Sequence, residues 1–422
     1  MPSGFSSVLR VRNFMLLVLS NSMSQLGDRL THMLLITVIA LANPGHLLAY
    51  STGSLAFVLP TMFIAPIAGV LVDRWDKRKV LGYAHLSQSG LLFVTAFLVV
   101  LLRSFTPFWV ALVIFFGLDV FNNAASPSLL PALVARRKLL VANATNLTLC
   151  RVATVLGMVA GGFLIKWTGW KYGLIINSST HLTAGLLALA ISVRFASPRP
   201  GVAGPGAGSE HKESPLSSAA HAFHRLFREL AELVRVVGTN RLVGFVMASL
   251  VVSMFISAVS YTVLLFLVQQ VLHLGTSGVG VFAGILAVGM IAGAAVLGLV
   301  KKEINRPAVV VLVVLVYGLL FLAGPWLVSI PFMVVVALVA GVAFSWLGIV
   351  QNTMLQEEVS PEIRGRIFST REFITNVTFL LTTLFIGTLG DLTSWRIALV
   401  AIGAILVLLA GAGYAFVRRG RS

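Results

Sequence analysis

Apolar residues run along this chain in blocks of about 20, the length at which a helix crosses a ~30 Å hydrocarbon core, and polar residues collect between the blocks. Twelve blocks stand out, near residues 13–41, 48–72, 80–102, 107–133, 139–165, 172–195, 242–271, 279–300, 307–328, 330–355, 367–389 and 394–417. They predict an all-α polytopic membrane protein with twelve transmembrane helices. The pattern breaks once, from Pro198 to Ser218, where Pro, Gly and Ser replace the apolar run. The expected organisation is therefore a six-helix bundle over 1–197, a linker over 198–240 and a second six-helix bundle over 241–422. Within the linker, Phe223, Leu226, Phe227, Leu230, Leu233, Val234 and Val237 recur at helical spacing, opposite Arg225, Arg228, Glu229, Glu232 and Arg235. That spacing predicts an amphipathic helix lying on the inner membrane surface.

Composition supports a membrane setting: 58% of the 422 residues are hydrophobic, and the mean hydropathy is +0.96, more apolar surface than a soluble core can bury. A formal charge of +17 would suggest a nucleic-acid partner in a soluble protein, but the cations are arranged as in positive-inside topology. With the N-terminus inside, about 25 of the 31 Lys and Arg fall in cytoplasmic loops or tails, leaving Arg103, Lys166, Lys171 and Arg396 outside. Both termini are expected to be cytoplasmic in a multi-pass protein of the cytoplasmic (inner) membrane. The first block is too long for the apolar region of a signal peptide and has no small-residue cleavage site, so it reads as an uncleaved helix. The single cysteine, Cys150, excludes an internal disulfide or a cysteine metal cluster. Neither a nucleotide-binding G-x-x-x-x-G-K-[ST] loop nor an H-E-x-x-H pair occurs, so an enzyme or a self-powered pump is not expected. The anticipated partners are the bilayer, a small-molecule substrate and protons, with no nucleic acid and no cofactor, and the expected state is a monomer.

One turn carries a sharper signal. Six of the seven residues from Asp73 to Lys79 are charged, in a chain with 11% charged residues. The stretch from Gly69 to Lys79 resembles the G-x-L-x-D-R-x-G-R-R signature between the second and third helices of the major facilitator superfamily. Gly69, Leu71, Asp73, Arg74, Lys77 and Arg78 match by residue or charge, and Asp76 replaces the family's glycine. Leu129 to Val134, followed by Leu139 to Asn146, is similar to the fourth-to-fifth helix turn of the drug-efflux branches, macrolide and siderophore exporters included, with Ala132 where they carry an acid. Glu358 to Arg366 resembles their tenth-to-eleventh helix turn, and Gly298 to Arg306 stands where a degenerate second copy of the signature is expected. Gly157 and Gly161–Gly162 partly match the fifth-helix signature of antiporters. They also fit plain small-xxx-small packing, as do Gly280/Gly284 and Gly289/Gly293. The resemblance spans essentially the whole chain and implies alternating access between two related halves. It also implies an inner gate at Gly69, Asp73, Arg74, Lys77 and Arg78, with Asp73 held by the positive end of the eleventh helix.

Four charges stand out within the apolar blocks: Asp28, Arg29, Asp119 and Arg151. Each costs about 2.5–3.5 kcal/mol at a helix centre on insertion scales, so each calls for a purpose. Asp119 lies about 17 residues before the turn near Arg136 and Arg151 about 15 after it, which predicts similar depth and a pair across the fourth and fifth helices. Asp28 and Arg29, about 100° apart on one helix, cannot both face the same way. Burial favours the neutral form of a carboxyl group and a nearby cation favours the charged form, so such a group can switch protons as its access and pairing change. Proton coupling or substrate binding is thus expected at Asp28, Arg29, His32, Asp119 and Arg151, in a proton-coupled exporter of an amphipathic small molecule. Gly27 to His32 also resembles the G-D-R-x-x-H stretch of ferroportins, which implies an alternative reading as a divalent-metal exporter using Asp28 and His32. A lysophospholipid translocator is a further alternative. Against metal, the block from Leu242 to Val271 holds no Asp, His or Cys but offers Ser253, Ser257, Ser260, Tyr261, Gln269 and Gln270. The expected cavity residues, His181, Ser257, Tyr261, Gln351 and Asn352, suit an amphipathic organic molecule.

Overall fold

The computed structural model describes residues 8–43, 45–135, 138–192, 240–299, 305–358 and 361–419; the expected linker and its amphipathic helix lie outside them. The described elements are all helical: α1 (Arg12–Ala42), α2 (Leu47–Gly53), α3 (Leu55–Arg74), α4 (Lys77–Leu102), α5 (Thr106–Leu133), α6 (Leu139–Leu189), α7 (Arg241–Phe266), α8 (Gly275–Leu299), α9 (Arg306–Ala323), α10 (Ile330–Glu358), α11 (Pro361–Leu392) and α12 (Trp395–Arg419). Helices are what such apolar blocks must form, because at membrane depth a backbone can satisfy its N–H and C=O groups only internally.

Ten stretches among the described residues are long and apolar enough to cross a membrane. They include Val141–Leu189 as one stretch, although Gly169 breaks it. The Gly169 φ of 77° and ψ of 169° lie where a side chain would clash, so glycine makes the turn that divides α6 into two arms. Helix α1 is not among the ten, because the run from Ser20 to His32 loads it with Ser, Asn, Gln, Asp, Arg, Thr and His.

Polar side chains set where the helices start. Asp76 accepts from the backbone N–H groups of Arg78 (3.0 Å) and Lys79 (3.3 Å) and so caps α4. The residue that departs from the family signature is thus the N-cap of the next helix. Asn240 caps α7 through Leu242 N (3.0 Å) and Val243 N (3.1 Å), and Asn305 caps α9 through Ala308 N (3.3 Å). At its other end α7 winds into a π-helical turn, Leu267–Val271.

Contacts divide the chain into two interleaved units, elsewhere than composition does. The first comprises Met1–Leu34, Ala56–Gly157 and Trp167–Leu226; the second comprises Leu35–Leu55, Met158–Lys166 and Phe227–Ser422. In the first unit α4 lies along α5, and one end is sealed by an apolar cluster that includes Phe14, Leu17, Val72, Leu81, Leu129 and Ile191. Polar bonds tie the same end: Arg78 donates to the Ile191 carbonyl at 3.0 Å, and Asn13 bonds Ser192 through both its carbonyl (3.2 Å) and amide (2.9 Å) groups. Arg78 thereby satisfies a carbonyl left over beyond the end of α6.

The second unit packs by small residues. Gly289 and Gly293 of α8 abut the backbone of Leu338 and Val342 on α10, and Trp346 of α10 donates its indole N–H to the Gly293 carbonyl at 2.8 Å. The segment Leu35–Leu55 belongs to this unit through several polar bonds. Asp391 at the end of α11 accepts from Leu47 N at 2.7 Å, Gln270 of the π turn donates to the Tyr50 hydroxyl at 3.0 Å, and Thr37 meets Thr276 at 2.6 Å.

These contacts set the expected stability of three variants. Replacing Asp76 with Ala removes the α4 cap and is expected to cost about 1 kcal/mol, read as a lower melting temperature of the detergent-purified protein. Gly289→Leu is expected to cost about 1–3 kcal/mol by overpacking against Leu338. Gly348→Ala, at a helical position with nothing within 4 Å of the added carbon, is expected to leave the melting temperature level or raise it.

Candidate functional site

The first unit buries a connected set of ionisable and amide side chains. Asp28 on α1 is 4% exposed, His181 on the second arm of α6 is 0% exposed and His85 on α4 is 1% exposed. The Asp28 carboxylate approaches His181 Nε2 at 3.9 Å and accepts from the Gln25 amide at 3.5 Å. This approach requires Gly27. A Cβ there would stand 2.5 Å from His181 Nε2 and would also strike the Thr180 hydroxyl, so only glycine lets α1 come this near to α6. Helix α1 is further held by Ser20 donating to the Ala184 carbonyl (2.8 Å) and by Asn177 donating to the Thr31 hydroxyl (2.7 Å).

Arg29, the next residue, acts electrostatically on both Asp28 and Asp119. Asp119 on α5 accepts from Asn123 at 2.9 Å. The pair anticipated between Asp119 and Arg151 is not formed among the described residues. Arg151 is exposed, and its charge acts on its neighbour Cys150. The reason is the course of α1, which runs so close to α6 that a Cβ on Gly157 would lie 2.9 Å from Arg29 Cβ. Arg29 is therefore the cation that reaches Asp119. Gly157, read from sequence as half of an antiporter signature, is the position that admits it.

His32 does not join Asp28. Its ring packs against Phe57 and Phe116, each at 5.2 Å between centroids, and no group of three or more His, Cys, Asp or Glu placed to hold a metal ion occurs among the described residues. His181, anticipated in a cavity, is instead enclosed, with the Phe115 ring edge-on at 5.0 Å.

Sequence reasoning passed over His85, Gln88 and Asn122. His85 Nδ1 lies 3.0 Å from Gln88 Oε1 and 3.1 Å from Asn122 Nδ2, Asn122 also donates to Gln88 Oε1 at 3.0 Å, and Gln88 donates to the Phe115 carbonyl at 3.2 Å. The available signal was His85 and Gln88 three apart on one face of an otherwise apolar helix. The His85 and His181 rings are 5.9 Å apart.

In the second unit each anticipated cavity residue has a neighbouring partner. Gln351 is buried and donates to the Ser249 (2.9 Å) and Ser253 (2.8 Å) hydroxyls, joining α10 to α7. Ser257 donates to the Ser253 carbonyl at 2.8 Å, and Tyr261 stacks at a tilt on Phe379 at 5.8 Å. Asn352 accepts from Arg371 at 2.5 Å; this cation at the start of the α11 span was missed among the sequence's membrane charges. A cavity of about 90 Å³ in this unit is lined by such residues as Ser260, Val263, Leu267, Tyr317, Phe321 and Met333. Its lining is almost wholly aliphatic and aromatic, and the Tyr317 hydroxyl is given to the Ala340 carbonyl at 2.9 Å.

At the charged turn, Arg74 is exposed and Arg78 half-buried, with the Arg78 guanidinium 3.8 Å from Asp76. Lys77 begins α4. Gly69 and Asp73 lie on α3, but the Asp73 side chain falls outside the described set.

Comparison with known proteins agrees with this architecture. The family model described as Major Facilitator Superfamily matches residues 17–357. The putative bacilysin exporter BacE of Bacillus subtilis (strain 168) is 24% identical over 402 residues, 94% of this chain and 91% of that protein. The enterobactin exporter EntS of Citrobacter koseri is 27% identical over 314 residues, 71% of this chain and 67% of that protein. Among solved structures, a bacterial homolog of the human lysosomal transporter Spinster, in an inward-facing and unoccupied conformation, aligns with a TM-score of 0.69 at 13% identity, covering 96% of both chains. The match in fold together with the family model across most of the chain places this multi-pass membrane protein among transporters of small molecules, not enzymes: it belongs to the major facilitator superfamily.

Proposed function

We propose that the chain is a secondary active transporter that works by alternating access and exports an amphipathic small molecule in exchange for protons across the cytoplasmic membrane. The observation that carries this reading is the Asp28 carboxylate, buried beside His181 and under the influence of both Arg29 and Asp119. A carboxyl group so placed is costly when charged and is stabilised when Arg29 turns to it, so protonation and pairing exclude one another. A substrate that competes with Arg29, or that displaces the proton, couples the two fluxes.

Twelve crossings with both termini in the cytoplasm are inferred from the ten apolar stretches, the polar α1 as a further crossing and the Gly169 break that makes two of α6. On this topology the six-helix halves are 1–197 and 241–422, joined by the linker at 198–240. The charged turn after α3 lies on the inner side, where Gly69, Asp73, Arg74, Lys77 and Arg78 serve as the inner gate, and the protein functions as a monomer. Relatives named as an enterobactin exporter and a putative bacilysin exporter favour efflux. Packing of His32 between two phenylalanines gives the metal-export alternative no support.

In inverted membrane vesicles carrying the full chain, an imposed pH gradient is expected to drive accumulation of at least one probe from a panel of catechol siderophores, hydrophobic dipeptides and lipophilic cations. Asp28→Asn is expected to abolish the gradient-driven accumulation while leaving gradient-independent equilibration of the same probe. Gradient-driven accumulation that survives undiminished in both Asp28→Asn and Asp119→Asn overturns the proposal.

A further inference from the structure

His85 and His181, both buried in the first unit, have specific surroundings. Asp28 Oδ1, both ring nitrogens of His181 and His85 Nε2 are buried polar atoms without a hydrogen-bond partner. Burying such atoms unpaired is costly, so a cluster of them on adjoining side chains calls for a shared ligand. His85 is held differently at its other nitrogen. Nδ1 faces an acceptor, Gln88 Oε1 at 3.0 Å, and a donor, Asn122 Nδ2 at 3.1 Å. A protonated Nδ1 donates to Gln88, and a bare Nδ1 accepts from Asn122, so this nitrogen has a partner in either neutral tautomer and in the imidazolium, while Nε2 has none.

We propose that Asp28, His181 and His85 form a single proton-binding site in which one proton is shared between a carboxyl group and two imidazoles, with Gln88 and Asn122 serving as positioning residues for His85. The inference rests on the proton-coupled reading above and extends it to α4 and α5. The proton balance is simple. With Asp28 as the neutral acid, both rings are neutral. Transfer of its proton to His181 Nε2, across the 3.9 Å separation, leaves a carboxylate and an imidazolium. Loss of the His181 Nδ1 proton to His85 Nε2 then restores neutral His181 and moves the positive charge to His85, whose Nδ1–H is held by Gln88. No proton leaves the protein in either step, and Asp28 becomes free to pair with Arg29. The ionisable groups bearing on the site are Asp28 and Arg29 from α1, His85 from α4, Asp119 from α5 and His181 from α6; His32 faces Phe57 and Phe116 instead.

The test uses protons alone and needs no substrate. The full chain reconstituted in lipid is titrated while infrared difference spectra follow the carboxylic-acid band lost in Asp28→Asn, and ¹⁵N spectra follow the ring nitrogens of His85 and His181. Coupled groups give up protons in steps that belong to the cluster. The Asp28 band is therefore expected to titrate together with both rings and to move by about one pH unit or more in His181→Gln and in His85→Gln. Asn122→Ala keeps the carboxyl group and both rings, and is expected to shift the His85 tautomer balance towards Nδ1–H even where a histidine variant fails to fold. An Asp28 band that titrates identically in wild type and in every variant that folds, with the His85 tautomer balance unmoved in Asn122→Ala, overturns the shared site and leaves proton coupling at Asp28 standing. An Asp28 group that takes up no proton at any pH overturns both.

Discussion

A carboxylate inside a membrane-spanning helix costs about 2.5–3.5 kcal/mol on insertion scales, and on the proposed topology Asp28, 4% exposed in α1, bears that cost. Much of the first unit is explicable as the means of keeping it. Gly27 removes the one carbon that would hold α1 away from His181, Gln25 donates to the carboxylate, and Arg29 supplies a countercharge that Asp119 also attracts. The polar run from Ser20 to His32 lowers the hydropathy of α1, but those same side chains anchor it to α6 through Ala184 and Asn177. A helix that is costly to insert is thereby fixed once it is in place.

The two units solve the packing problem in different ways. The first relies on a polar network that is incompletely satisfied, and incomplete satisfaction is what allows a proton or a partner to change position. The second relies on close backbone approach at Gly289 and Gly293 and on polar groups that are paired, such as Gln351 with two serine hydroxyls and Tyr317 with a carbonyl. Its Arg371 is tied to Asn352. Chemistry that needs a movable charge has more purchase in the first unit, while the second supplies a firm scaffold and an apolar cavity.

The helices were legible because a 20-residue apolar block at membrane depth leaves the backbone no alternative; even the break in α6 falls at Gly169, in the gap between two expected blocks. Counting crossings was harder. The charged and polar residues of α1 make it less apolar, and among the described residues ten stretches rather than twelve meet the length and hydropathy required. Site residues were legible as types and positions but not as partners. Asp28 and Asp119 stand out in any apolar run, whereas which cation meets Asp119 depends on α1 lying against Gly157, and no spacing within α5 and α6 reveals that. His85 and Asn122 were missed for the same reason, since a polar side chain in an apolar helix declares its burial only once the facing helix is known. Asp76 was a different case: an acid directly before a helix is an ordinary cap signal, and it was hidden by being read as a defect in a longer motif.

The claim at the centre of this account is that the proton on Asp28 and the substrate exclude one another. The most direct measurement is proton release when ligand binds. Purified protein in weakly buffered solution with a pH-sensitive dye is mixed with an amphipathic ligand selected by its stabilising effect on the protein. Wild type is predicted to release a proton on binding, and Asp28→Asn to bind the same ligand without release. Release of equal size from both proteins would contradict the account.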